Sequence, residues 1–350
     1  MADYTSIDNP ELYFQSVLWT GNGSNPRTIT FGGDENMQPD LLWYKCRSHA
    51  VPHILLDSVR TAGNDKELQP DDTTAEGGTS AETDGYISAF TSNGFTLAAG
   101  SSGGDHYTNE GSRTFVAWGW KESATAGFDI VTYTGNATDD TDISHSLSAV
   151  PHVIIIKNRD QGSGYNWRVY HHKNTSAPET DRLNLNDTNA THDDASYWSD
   201  EAPTSSVFTL GTDSSLNGNT EGHVAYLWSE KQGFSKFGSY VANANDNGPF
   251  VYTGFRPAWI MCKAASDSGE AWAILDNKRN TFNPVLAKLF PNANSAESAT
   301  AGDNNVDFLS NGFKIITNDN GLNKSGVTFI FAAFAEAPFV NSNGVPCNAR

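Results

Sequence analysis

"PHVIIIK", residues 151–157, decides how this chain folds, because the chain writes it three times. "PDLLWYK" at 39–45 and "PAWIMCK" at 257–263 keep the same frame: Pro39, Pro151 and Pro257 each stand six residues before Lys45, Lys157 and Lys263. A repeat of this length mis-sets the whole fold if it is missed. The rest of the sequence keeps step. "LWTGN", "TYTGN" and "SYVAN" precede the three prolines; "HILLDSVR", "WRVYHHKN" and "WAILDNKR" follow the three lysines. Phe95, Phe208 and Phe313 then stand two residues before Leu97, Leu210 and Ile315. Each copy closes on a strand ending in Glu122, Glu230 or Glu336, with Asn109, Asn217 or Asn323 thirteen residues upstream. Copies one and three also share Leu68, Pro70 and Glu76 with Leu289, Pro291 and Glu297.

Apolar residues come in short runs rich in Val, Ile, Tyr, Phe and Trp, broken by Gly, Asn, Asp, Ser and Thr, which is the pattern of strands and tight turns. No window sustains a helical period. The expected fold is all-β: three tandem β-sandwich or jelly-roll-like repeats at 16–124, 128–231 and 237–340, either separate or packed about a pseudo-threefold axis. An N-terminal arm, 1–15, and a C-terminal tail, 341–350, lie outside the frame. The links "SATAG" at 123–127 and "KQGFSKFG" at 231–238 are short enough to hold the copies side by side.

Bulk composition narrows the function. The 350 residues carry 22 basic and 41 acidic side chains, net −19, which repels phosphate backbones and anionic lipid, so nucleic acid is not an expected partner. No stretch approaches the roughly 20 apolar residues that cross a bilayer, and the first residues lack a secretory pattern. Three cysteines, Cys46, Cys262 and Cys347, suit a reducing compartment without a disulfide framework.

Candidate chemistry is sparse. A buried lysine can act as nucleophile or base, but an active site is built once and this lysine recurs in every copy. Lys45, Lys157 and Lys263 therefore read as structural, with Asp57 and Asp276 in the next strand as expected ion-pair partners and His171 in that place in copy two. His171 and His172 are adjacent and point apart; His192 with Asp193 and Asp194 lacks a second histidine at a zinc spacing. The loop "NANDNG" at 243–248 offers amides where a calcium loop needs carboxylates. No cofactor is assigned, with calcium left open for the acidic loops. Tyr197 and Trp198, in the long loop 186–203, could stack on sugar; the alternative is that Trp198 caps the core. Pro10, Leu12, Tyr13 and Phe14 form a candidate docking arm.

Taken together, "SVLWTGNG", "PDLLWYKCR", "HILLDSVR", "FTSNGFTL", "FVAWGWKE", "GPFVYTGFRPA", "FLSNGFKI" and "FAEAPF" resemble a family of tailed-bacteriophage virion proteins, generally labelled tail-fibre or minor tail proteins. The likeness runs from about residue 8 to 350. It implies a non-enzymatic structural protein of the virion, mounted on tail or capsid and assembled in the bacterial cytoplasm. Other virion proteins are its implied partners and a homotrimer its implied oligomer. Two alternatives stand beside it: a receptor-binding adhesin contacting host surface glycan, and a glycan depolymerase. The family brings no catalytic residues.

Overall fold

The computed structural model describes residues 5–78, 81–101, 103–300 and 305–348. Copy one contains β1 (Phe14–Thr20), β2 (Arg27–Thr30), β3 (Leu41–Cys46), β4 (His53–Asp57), β5 (Tyr86–Thr91), β6 (Gly94–Ala98) and β7 (Thr114–Trp120). Copy two contains β8 (Phe128–Thr134), β9 (Thr141–Ser144), β10 (Val153–Asn158), β11 (Arg168–His171), β12 (Asp181–Asn184), β13 (His192–Asp193), β14 (Val207–Leu210) and β15 (Gly222–Trp228). Copy three contains β16 (Ser235–Val241), β17 (Phe250–Tyr252), β18 (Phe255–Ala264), β19 (Ala273–Asp276), β20 (Val306–Leu309), β21 (Gly312–Ile315) and β22 (Thr328–Pro338). No helix among the described residues is long and apolar enough to cross a membrane.

Each copy is a two-sheet antiparallel sandwich. The large sheet has the order first, last, third, fourth strand: β1-β7-β3-β4, β8-β15-β10-β11 and β16-β22-β18-β19, extended in copy two by β12 and β13. The small sheets are β2-β6-β5, β9-β14 and β17-β21-β20.

The quoted stretch is the third strand of the large sheet, and all six residues of β3 and of β10 are buried. Strand side chains alternate between faces, so such a run means a sheet covered on both sides. One side is the copy's own small sheet: Leu42, Tyr44, Ile54 and Leu56 join Phe95 and Leu97 in copy one, and Ile154, Ile156 and Tyr170 join Phe208 and Leu210 in copy two. The other side belongs to a core shared by all three copies, where Leu41 and Trp43 meet Val153, Ile155, Trp259 and Met261. Trp120, Trp228 and Phe334, each two residues before the closing glutamate, stand at its centre. Trp120 lies 6.4 Å from Trp228, 5.6 Å from Phe334 and 5.5 Å from Trp259, ring centre to ring centre.

The seams between copies repeat as well. Glu76 N–H donates to Arg159 O (2.8 Å), Thr191 N–H to Ala265 O (2.8 Å) and Glu297 N–H to Arg47 O (2.7 Å). Thus copy two docks on copy one, copy three on copy two, and copy one on copy three. The side chains follow the same ring: Tyr226 OH donates to Asp57 (2.8 Å), Trp118 Nε1 to Asp276 (3.0 Å), and His171 Nε2 to Phe331 O (3.1 Å). Trp118, Tyr226 and Ala332 are equivalent, each four residues before the closing glutamate. Where that position is Ala332, the neighbouring copy has His171 in place of aspartate and bonds to backbone. The three sandwiches are one pseudo-threefold body.

The N-terminal arm is not free. Phe14 opens β1, is buried, and stacks on Phe334 at 5.4 Å; Tyr13 packs edge-on to Phe234 and Pro10 is buried in a helical turn. Ser6 N–H bonds Gln232 O, and Asp8 accepts from the Ser342 amide. Only Leu12 of the four candidate docking residues is exposed, so residues 5–14 seal copy one to copy three rather than reach outward.

Trp120→Ala removes a side chain that all three copies touch. It is expected to cost about 3–5 kcal/mol of unfolding free energy, read as a lower denaturant midpoint; a midpoint within about 0.5 kcal/mol of the parent contradicts the shared core.

Candidate functional site

The repeated lysines are buried and bonded to backbone. Lys45 Nζ donates to Cys46 O (2.7 Å) and His49 O (3.2 Å); Lys157 Nζ to Asn158 O (2.7 Å), Gln161 O (3.0 Å) and Tyr165 O (3.2 Å); Lys263 Nζ to Ala264 O (2.9 Å), Glu270 O (3.0 Å) and Thr188 O (3.3 Å). Each ammonium gathers carbonyls from the end of its strand and the loop that follows, and Lys263 adds one from copy two, Thr188 O. Burial pulls each amine down to about 8.

The expected pairing with Asp57 and Asp276 does not form. Register sets Lys45 opposite His53 and Asp57 opposite Leu41, four residues or about 13 Å along the hairpin. Asp57 binds Arg60 at 2.6 Å and Asp276 binds Arg279 at 2.5 Å. Arg60 and Arg279 in turn reach Glu76 (3.3 Å) and Glu297 (3.1 Å), and those carboxylates also pair with Arg159 and Arg47 of the neighbouring copies. Two seams therefore carry an Asp–Arg–Glu–Arg chain; the third carries His171.

The repeated asparagines are staples. Asn109, Asn217 and Asn323 are fully buried. Their Oδ1 atoms accept the amides of Asn22 (3.2 Å), Asn136 (2.8 Å) and Asn243 (2.8 Å), fixing the loop after the first strand of each copy. The backbone passes so close that a Cβ on Gly21 would lie 2.0 Å from Glu110 O, and one on Gly135 2.3 Å from Gly218 O. In the 243–248 loop Asn243 and Asn245 accept amides of Asn245 and Asn247, so their oxygens serve the loop itself.

Tyr197 and Trp198 are buried, 3% and 1% exposed, and offer no ring face to a sugar. Trp198 Nε1 donates to Asp181 O (2.9 Å), and Arg168 and Arg182 lie over Tyr197. Both rings cap the sandwich core of copy two.

One polar cluster escaped the sequence reading. His152, His172 and Glu230 bring their donor atoms within 4.8 Å of one another, although they lie 20 and 58 residues apart. Glu230 N–H donates to His152 Nδ1 (3.0 Å), which puts the proton of the neutral ring on Nε2 and leaves it no lone pair for a cation. Lys236 pairs with Glu230 at 2.6 Å. The cluster is a hydrogen-bonded junction. It lines an open groove of about 530 Å³ between copies two and three, with Lys173, Phe250 and Tyr252 on its rim. A second hollow of about 310 Å³ shares Glu230, Lys236 and Tyr252 as walls.

A family profile described as "Domain of unknown function (DUF7483)" matches residues 9–338. The chain belongs to this family. The DUF7483 match runs from just before β1 to the end of β22, so the family unit is the closed triplet and not a single copy. No curated protein and no solved structure matches the chain.

Acid acts on the histidine seam. Burial holds His171 at about 3 and His172 at about 4, below the ordinary 6.5. The unfolded chain therefore takes up protons that the folded one refuses, so this stability is complete above pH 6.5, declines as pH falls below it, and is gone once pH has fallen through 4 to 3. His172→Gln, which still donates to Phe237 O, is expected to flatten that decline in denaturation midpoints taken from pH 7 to 4. An unchanged slope contradicts the assignment.

Proposed function

We propose that this DUF7483 chain is a non-enzymatic structural protein of a tailed-bacteriophage virion, carried on the tail or the capsid as an appendage. The observation that carries the reading is where the repeated polar groups go. Lys45, Lys157, Lys263, the three asparagines and the Asp–Arg–Glu chains are all occupied in holding strands, loops and copies together. A chain whose repeated chemistry serves its own rigidity suits a particle component. The resemblance of its long phrases to tail-fibre and minor tail proteins supplies the particle. Other virion proteins are its partners in this reading, with further copies of itself in a trimeric assembly.

Cryo-electron microscopy of the intact particle tests the proposal. The expected result is density for a three-lobed β body of this size on the tail or the capsid surface. Particles that lack the chain, by map and by mass spectrometry of purified virions, overturn it.

A further inference from the structure

Copy three differs from the other two at three outward positions, where it alone is apolar. Register makes Thr20, Thr134 and Val241 equivalent at the end of the first strand. It also makes Thr28, Asp142 and Phe250 equivalent, and Thr30, Ser144 and Tyr252. Copies one and two are polar at all these places. Copy three instead exposes Val241 (61%), Phe250 (46%) and Tyr252 (59%). Folding does not require them, since the same frame closes twice with polar residues there. Val251 between the two rings points inward and is buried, as Ile29 is in copy one. Phe250 and Tyr252 thus stand on the solvent face of β17, the outermost strand of its sheet. Apolar groups held in water where the fold has no use for them mark a binding face.

The surroundings decide what binds. Phe250 and Tyr252 border the groove between copies two and three, and the same groove is lined by charged and polar groups: His172, Lys173 and Glu230 from copy two, Lys236 and Ser239 from copy three. The centre of a protein–protein contact is depleted of charge, so this mixture does not suit a protein partner. A bound cation is disfavoured by the proton on His152 Nε2 and by the Lys236–Glu230 pair. A sugar ring fits. Its C–H face stacks on an aromatic ring, and its hydroxyls both donate and accept. Glu230 accepts, Lys173 and Lys236 donate, and His172, whose Nε2 donates to Phe237 O at 2.7 Å, keeps Nδ1 as an acceptor. The second hollow shares Tyr252, Glu230 and Lys236 with the groove, so the two adjoin at these residues and together offer room for more than one sugar unit.

We propose that this groove binds a linear saccharide, with Tyr252 and Phe250 as stacking platforms and Glu230, Lys236, Lys173 and His172 as its hydroxyl partners. The choice of bacterial surface glycans as probes rests on the virion reading; the site itself stands or falls on binding by the purified chain, wherever that chain is mounted.

The test uses the full chain on an array of bacterial capsular and O-antigen oligosaccharides, with isothermal titration of whatever it retains. The wild type is expected to retain at least one of them. A Phe250→Ala/Tyr252→Ala double variant should lose affinity by about ten-fold or more, with an unchanged melting temperature because both rings are exposed. Thr28→Ala/Thr30→Ala, at the equivalent places of copy one, should leave binding intact. Retention of no saccharide by the wild type, or equal retention by the double variant, overturns the proposal. So does a double variant that drops out of its native assembly while the wild type binds no glycan, an outcome that makes the face a protein contact.

Discussion

A sheet that is apolar on both faces cannot stand at the surface of a protein, and each copy of this repeat carries one. Its small sheet covers one face of the large sheet; the other, with Trp43, Trp118 and Trp120 in copy one, must find cover elsewhere. Fully burying a large apolar side chain is worth about 1.5–3 kcal/mol, so a lone copy would leave several such contributions in water. Three copies arranged in a ring bury all three faces against one another in one shared core. The short links between copies keep them side by side in that ring.

The seams solve a second problem, which is that strand ends and hairpin loops are drawn into the interior along with the apolar faces. The lysines supply charged donors to buried carbonyls, and the indoles of Trp167 and Trp272 do the same across the seams, to Gln69 O (2.7 Å) and Asn184 O (2.9 Å). The cost is a set of amines near 8 and histidines near 3 to 4, offset by the hydrogen bonds these donors make to backbone carbonyls. Equivalent positions need not hold the same residue: Asp57 and Asp276 answer Tyr226 and Trp118, whereas His171 answers a main-chain oxygen because Ala332 has nothing to offer. That departure leaves the seam between copies two and three without an Asp–Arg–Glu chain, and the open groove lies beside it.

The spacing of Pro39, Pro151 and Pro257 makes the all-β repeat legible in the sequence, and Lys45, Lys157 and Lys263 recur in the same frame, each buried and bonded to backbone carbonyls. Contact between elements was harder to read. The partner of Lys45 depends on hairpin register, which composition does not encode, and so the sequence points to Asp57 where the register delivers Cys46 O and His49 O. Trp198 sits in a polar loop by sequence, yet the loop folds over the core of copy two and takes the ring with it. Phe14 looked like part of a loose arm because copy three, which it packs against, begins more than 200 residues later. Phe250 and Tyr252 carry no signal of their own in the sequence; the register of all three copies is what shows that their equivalents are polar.

Differential scanning calorimetry of the intact chain tests the closed ring most directly, because a two-state transition requires the calorimetric and van't Hoff enthalpies to agree. A ring in which every copy covers a face of the others predicts one transition with equal enthalpies. Two or three resolved transitions, or a van't Hoff enthalpy near a third of the calorimetric one, would mean that the copies unfold independently and that the shared aromatic core does not hold them together.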